Sequence, residues 1–185
     1  MVNGDTVADF HNTSLARDAQ LNHAIALLGA EARSGDLADL VVPAPGTFFS
    51  VDPEAGLSGT FATAKDGLVR ITYITERRPR WVALHLVAGG IDLSEATLLG
   101  IVCKTQAPEA STFRVCLRSG TSDGFVDAFL PKTVVAFSQP STHVDLLRLD
   151  QSGEVPKTAA WRELVLFFQP NSADVLLQDL RVFIV

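Results

Sequence analysis

Five residues on three alternating runs carry side chains whose chemistry can be combined. They are Trp81 and His85 in WVALHLV, Arg114 and Arg118 in TFRVCLRS, and Asp127 in GFVDAFL. In a half-buried strand successive side chains point to opposite faces. Val82, Leu84 and Leu86 then face one way, and Trp81, Ala83, His85 and Val87 the other. If Phe113, Val115 and Leu117 are buried, Arg114, Cys116 and Arg118 share the opposite face. Asp127 likewise shares its face with Phe125 and Phe129, against Val126, Ala128 and Leu130. An aromatic ring beside imidazole, guanidinium and carboxylate groups is what sugar recognition requires: the apolar face of a pyranose stacks on the ring while planar polar groups bind its hydroxyls. The same residues also suit a purely structural role, an Arg–Asp pair and a hydrogen-bonded histidine on a solvated face.

Catalytic constellations are absent from the sequence. There is no G-x-S-x-G elbow, no H-E-x-x-H and no glycine-rich phosphate loop, and the glycines of VAGGIDLS precede no helix-length pattern. No catalytic residue is assigned. Asp127, Asp145 and Glu163 lie on different predicted strands and would serve glycoside cleavage only if two of them came within about 5 to 10 Å. His143 and Asp145 fall on one side of a strand, but no third ligand follows at a metal-site spacing. Trp161 and Tyr73 sit at strand ends, as core lids or as binding platforms.

The formal net charge of −6 opposes association with polyanions, which argues against nucleic acid and against an anionic membrane surface. The basic cluster ERRPR, from Glu76 to Arg80, is read as a solvated strand edge. Cys103 and Cys116 lie on consecutive predicted strands, either as buried free thiols or as a cross-strand disulfide; two cysteines do not make a zinc site. The opening MVNGDTVADFHNT shows no basic region followed by an apolar stretch, and no run approaches the roughly 18 apolar residues of a membrane span. A compartment is not assigned.

The elements that must position these residues follow from periodicity. At 185 residues with 47% hydrophobic and 19% charged residues, the chain has material for one well-buried core. From Trp81 to Val185 it reads as strand after strand separated by Gly, Pro, Ser and Asp clusters. The expected fold is therefore mainly β, an antiparallel jelly-roll β-sandwich with a short N-terminal α-helix. Strands are expected near 47–51, 59–64, 68–74, 81–87, 97–104, 112–119, 124–130, 134–137, 143–149, 162–169 and 177–185. AKDGL, from Ala64 to Leu68, carries an Asp-Gly hairpin signal.

Before the strands, Thr13 or Ser14 can cap a helix in which Leu21, Ile25, Leu28 and Ala32 recur at helical spacing, with Gly35 as a stop. So narrow a stripe fits a helix laid on the sandwich, or a heptad seam that would make residues 14–33 the contact of a homo-oligomer. The connector DLADLVVPAPG then divides a helix-and-connector segment, 1–45, from the sandwich, 46–185.

The order of elements, with WVALHLVAGGIDLSEATLLGIVCK followed by FRVCLRS and ending in RELVLFFQP and VLLQDLRVFIV, resembles the galactose-binding-like jelly roll of carbohydrate-binding modules. Two short phrases carry it, an early DLS turn at Asp92, Leu93 and Ser94 and a late DLRV at Asp179 to Val182, over residues 47–185. The resemblance implies non-catalytic glycan binding by aromatic and polar residues, with a structural calcium ion near the terminal strands. Asp179 is the one ligand position that can be matched. The N-terminal helix departs from the pattern. A structural or assembly domain mediating protein–protein association is the alternative expectation, and a glycan-active enzyme a third.

Overall fold

The computed structural model describes residues 17–64 and 67–185. After the helix α1 (Ala19–Leu28) come strands β1 (Arg33–Asp36), β2 (Thr47–Val51), β3 (Leu57–Ala64), β4 (Gly67–Thr75), β5 (Val82–Gly89) and β6 (Leu98–Gln106). They are followed by β7 (Ser111–Thr121), β8 (Gly124–Ala136), β9 (Ser141–Arg148), β10 (Arg162–Phe168) and β11 (Ser172–Ile184). Two sheets stack face to face, one of six strands in the order β1-β3-β4-β11-β6-β9 and one of five in the order β2-β5-β10-β7-β8. Every described pairing is antiparallel. This is the expected jelly-roll sandwich.

The alternation of the sequence becomes the division between core and face. Phe113, Val115 and Leu117 of β7, Leu84 and Leu86 of β5, and Leu164 and Leu166 of β10 enter the core between the sheets. β10 reads as the apolar run LVLFF because it is covered twice: Val165, on its other face, joins Ala83 and Cys116 in a second small cluster capped by Phe129 and Phe167.

The helix does not present its stripe outward. Leu21, Ile25 and Leu28 are part of the sandwich core, with Leu21 fully buried, and Asn22 clamps the helix to β11 by donating to the Val182 carbonyl at 2.8 Å and accepting from the Val182 N–H at 3.1 Å. Leu21, Ile25 and Leu28 of that stripe are thus used within the domain, because burying them against β5 and β11 removes their apolar surface from water. The helix ends at Leu28, with Gly29 in the C-cap position, and Gly35 lies in β1 opposite Phe61. Among the described residues before 45, one helix packs on the sandwich and one edge strand joins its six-stranded sheet. The proposed caps Thr13 and Ser14 lie outside the described residues.

Three further differences have local causes. The expected strands 124–130 and 134–137 are one strand, β8, running through Pro131; β8 is an edge strand, where a missing N–H is tolerated. Ala64 pairs with Gly67, closing the expected hairpin, although Lys65 and Asp66 of its tip lie outside the described residues. Cys103 and Cys116 do not face one another across a hairpin, because β6 and β7 belong to different sheets; both are buried free thiols.

Candidate functional site

The outer face of the five-stranded sheet can be read as rows across β2, β5, β10, β7 and β8. Register places Ser50, Ala83, Phe167, Arg114 and Thr133 in one row. The next row holds Phe48, His85, Val165, Cys116 and Phe129, and the next Val87, Glu163, Arg118 and Asp127. Trp81 stands just before β5 at the margin of this face. All five residues singled out from the sequence, Trp81, His85, Arg114, Arg118 and Asp127, line a single open groove of about 920 Å3.

Its floor is apolar. Ala83, Val165 and Cys116 are fully buried beneath Phe129 and Phe167, whose rings tilt against each other at 5.7 Å. Burial, with the Asp127 carboxylate nearby, pushes the Cys116 thiol up to about 12, so it is a neutral packing group.

The polar groups above this floor are held in place by one another. Arg118 donates from Nε and Nη2 to the two oxygens of Asp127, both at 2.7 Å, and its guanidinium carbon lies 3.8 Å from the centroid of Phe125. That pairing raises the Arg118 pKa further above its usual value. His85 Nδ1 is 2.7 Å from Glu163 Oε2, and its ring stacks on Phe48 at 4.4 Å with a 15° interplanar angle. The imidazole is thereby fixed in orientation on two sides. Trp81 donates from Nε1 to the Ser50 hydroxyl at 2.9 Å, with the Arg80 guanidinium 4.9 Å from its ring centroid. Arg80 is itself tied to the buried Asp52, whose carboxyl it holds well below the usual carboxylate range.

Phe125 is 52% exposed, so its ring reaches solvent although Arg118 packs on it. Past it, the face continues to Trp161, just before β10. Gly120 is paired with Phe125, and the Trp161 indole lies over Gly120 so closely that a Cβ there would fall 2.4 Å from Nε1. Trp161, 37% exposed, thus extends the aromatic surface beyond the groove, whereas Tyr73 is a core lid whose hydroxyl donates to the Gln169 carbonyl. The Trp161 end is braced by the fully buried Arg162, which donates to the carbonyls of Ile91, Pro156 and Lys157. Trp161, expected at a strand end as a lid or a platform, is part of the exposed aromatic surface; the role of Phe48 and the bond between Glu163 and His85 are not legible in the sequence, since only strand pairing supplies the neighbour.

Each carboxylate of this face is engaged by a neighbouring side chain. Both oxygens of Asp127 are engaged by Arg118, which stands between Asp127 and Glu163 in their row, and Glu163 is bonded to His85. Asp145 is buried on the six-stranded sheet and accepts from the N–H groups of Lys132 and Leu146 at 2.8 and 2.9 Å, tying β9 to β8. His143 shares its strand, with Nε2 buried and unpartnered, and burial lowers its pKa.

Asp179 lies away from the groove, on β11. Its charged neighbour is Arg181, with Nε 3.5 Å from Oδ1, and among the described residues no group of three or more His, Cys, Asp or Glu is placed to hold a metal ion. A lone carboxylate beside a guanidinium does not fit the six to eight oxygens of a calcium site. Asp92 of the DLS phrase forms a local turn instead, accepting from the Ser94 N–H at 2.8 Å. No helix among the described residues is long and apolar enough to cross a membrane.

No family model matches the chain, and no curated protein matches it in sequence. Solved structures do match in shape. The family 11 carbohydrate-binding module from Clostridium thermocellum, in complex with a β-1,3-1,4-mixed-linked tetrasaccharide, superposes with a TM-score of 0.54 at 12% identity, over 81% of this chain and 95% of that one. A CBM4 structure gives 0.53 at 11% identity over 82% and 95%. The N-terminal cellulose-binding domain of Cellulomonas fimi β-1,4-glucanase C gives 0.50 at 12% identity over 74% and 87%. At such identities the likeness is one of architecture, and in architecture the chain is a jelly-roll β-sandwich of the carbohydrate-binding-module type.

Proposed function

We propose that the protein is a non-catalytic glycan-binding module whose ligand lies in the groove on the outer face of the five-stranded sheet. The observation that carries this reading is the convergence there of Trp81, His85, Arg114, Arg118 and Asp127 with exposed aromatic surface. Sugar rings offer apolar faces to Trp81 and Phe125, while the oriented guanidinium and carboxylate groups meet hydroxyls at fixed angles and the buried His85 ring supports the floor. Because those polar groups are already held by partners, little side-chain entropy is lost on binding. The shared fold with the carbohydrate-binding modules adds support, and the mixed-linked tetrasaccharide seen with one of them is a natural first probe.

Titration calorimetry of the folded protein against that tetrasaccharide, and affinity electrophoresis against soluble glucans, xylans, mannans and uronate-containing polymers, tests the reading. Binding that weakens on Trp81→Ala supports it; a folded protein that binds no glycan in the panel overturns it.

A further inference from the structure

We infer that the glycan taken by the groove is anionic, with Arg114 as the partner of a uronate carboxylate. This rests on the glycan-binding reading and names its ligand class. The other guanidiniums along the groove are paired with carboxylates, and Arg114 is the exception. Arg118 is spent on Asp127, His85 meets Glu163, and Arg80 is held by Asp52 with Glu54 at 3.6 Å. Among the described residues Arg114 has no carboxylate within 4.0 Å.

Its position is nevertheless defined. The guanidinium carbon lies 4.0 Å from the centroid of Phe129, and register sets Arg114 between Phe167 and Thr133 within the groove. A guanidinium resting on an aromatic face keeps its N–H edge free, and that planar fork matches the two oxygens of a carboxylate. The hydrogen-bonding balance points the same way. Both carboxylates of the face, Asp127 and Glu163, already have partners, whereas Arg114 offers a charged fork of donors, which two carboxylate oxygens satisfy at once and single hydroxyls do not. With a net charge of −6 the molecule as a whole does not attract polyanions. Recognition is therefore local, one carboxylate read at one guanidinium.

The test is affinity electrophoresis and calorimetry of the full chain with polygalacturonate, alginate and glucuronoxylan, each beside its carboxyl-reduced, neutral counterpart. At least one carboxylated polymer is expected to bind about tenfold or more tighter than its reduced form. Arg114→Gln should bring that ratio close to one, and Arg114→Lys, which keeps the charge and loses the fork, should leave it in between. The comparison of each polymer with its reduced form needs no variant, so a misfolded substitution does not block it. Equal or better binding of the reduced polymers, or of neutral glucans alone, overturns the inference while leaving the glycan-binding reading intact. Absence of binding to every polymer by folded protein overturns both.

Discussion

Arg118 and Asp127 stand directly opposite one another across β7 and β8 and form a two-point ion pair, Nε to Oδ1 and Nη2 to Oδ2, each at 2.7 Å. The pair is mostly shielded from water, and Arg118 is also packed on Phe125. Removing one member leaves the other without its counter-charge in a partly desolvated place. Asp127→Asn is expected to cost about 1–3 kcal/mol of stability, and the added Arg118→Met to cost less than its own single effect. Urea denaturation of the double-mutant cycle measures this; strictly additive losses would show that the two side chains do not support each other.

The Trp161 indole needs the bare backbone of Gly120 beneath it. A side chain there would begin 2.4 Å from Nε1, so Gly120→Val should displace the ring and change the tryptophan emission. If the aromatic surface beside Phe125 binds sugar, Gly120→Val and Phe125→Ala should each weaken glycan affinity, the latter by about 0.5–1.5 kcal/mol. Phe125 is 52% exposed but carries the Arg118 guanidinium on its ring, so its removal should cost only about 0.5–1 kcal/mol of stability. Unaltered affinity in both variants would confine the ligand to the Trp81 and Arg114 end.

Leu21 is fully buried between the sheets, and its loss opens a cavity. Leu21→Ala should cost about 2–5 kcal/mol in denaturant unfolding while leaving the sedimentation coefficient of the folded protein unchanged. A shift from a larger assembly to monomer in this variant would return the helix to an intermolecular role.

Asp52 accepts from the Arg80 backbone and guanidinium and from the Glu54 N–H, and in the folded protein its carboxyl sits well below its ordinary value of 3.8. A carboxyl depressed by folding contributes stability above its unfolded pKa, and that contribution fades as pH falls toward the folded value. The melting temperature of the wild type should therefore exceed that of Asp52→Asn most clearly at neutral pH, with the gap narrowing below about pH 4. A gap that stays constant down to pH 2 would mean that the carboxylate charge contributes nothing.

Much of the candidate face was legible in advance because a β-strand has a period of two. Once Phe113, Val115 and Leu117 are taken as buried, Arg114 and Arg118 have one face left, and Asp127 follows from Ala128 and Leu130 in the same way. Parity says which side of its own strand a residue occupies. It does not say which strand lies alongside, and that is why the stacking of His85 on Phe48, its bond to Glu163 and the seat of Trp161 over Gly120 were not readable. The same limit governs Cys103 and Cys116, neighbours in strand order that the fold assigns to different sheets. It governs the helix too, since a narrow stripe at Leu21, Ile25 and Leu28 satisfies a partner helix or the domain's own core equally well until the gap between β5 and β11 is there to receive it. The sequence by itself determined the sandwich class and the facing of each polar residue, because alternation is a local, repeating property of the chain. Which rings and charges meet in one groove was decided only by the tertiary structure, because strand pairing joins residues that the sequence holds far apart.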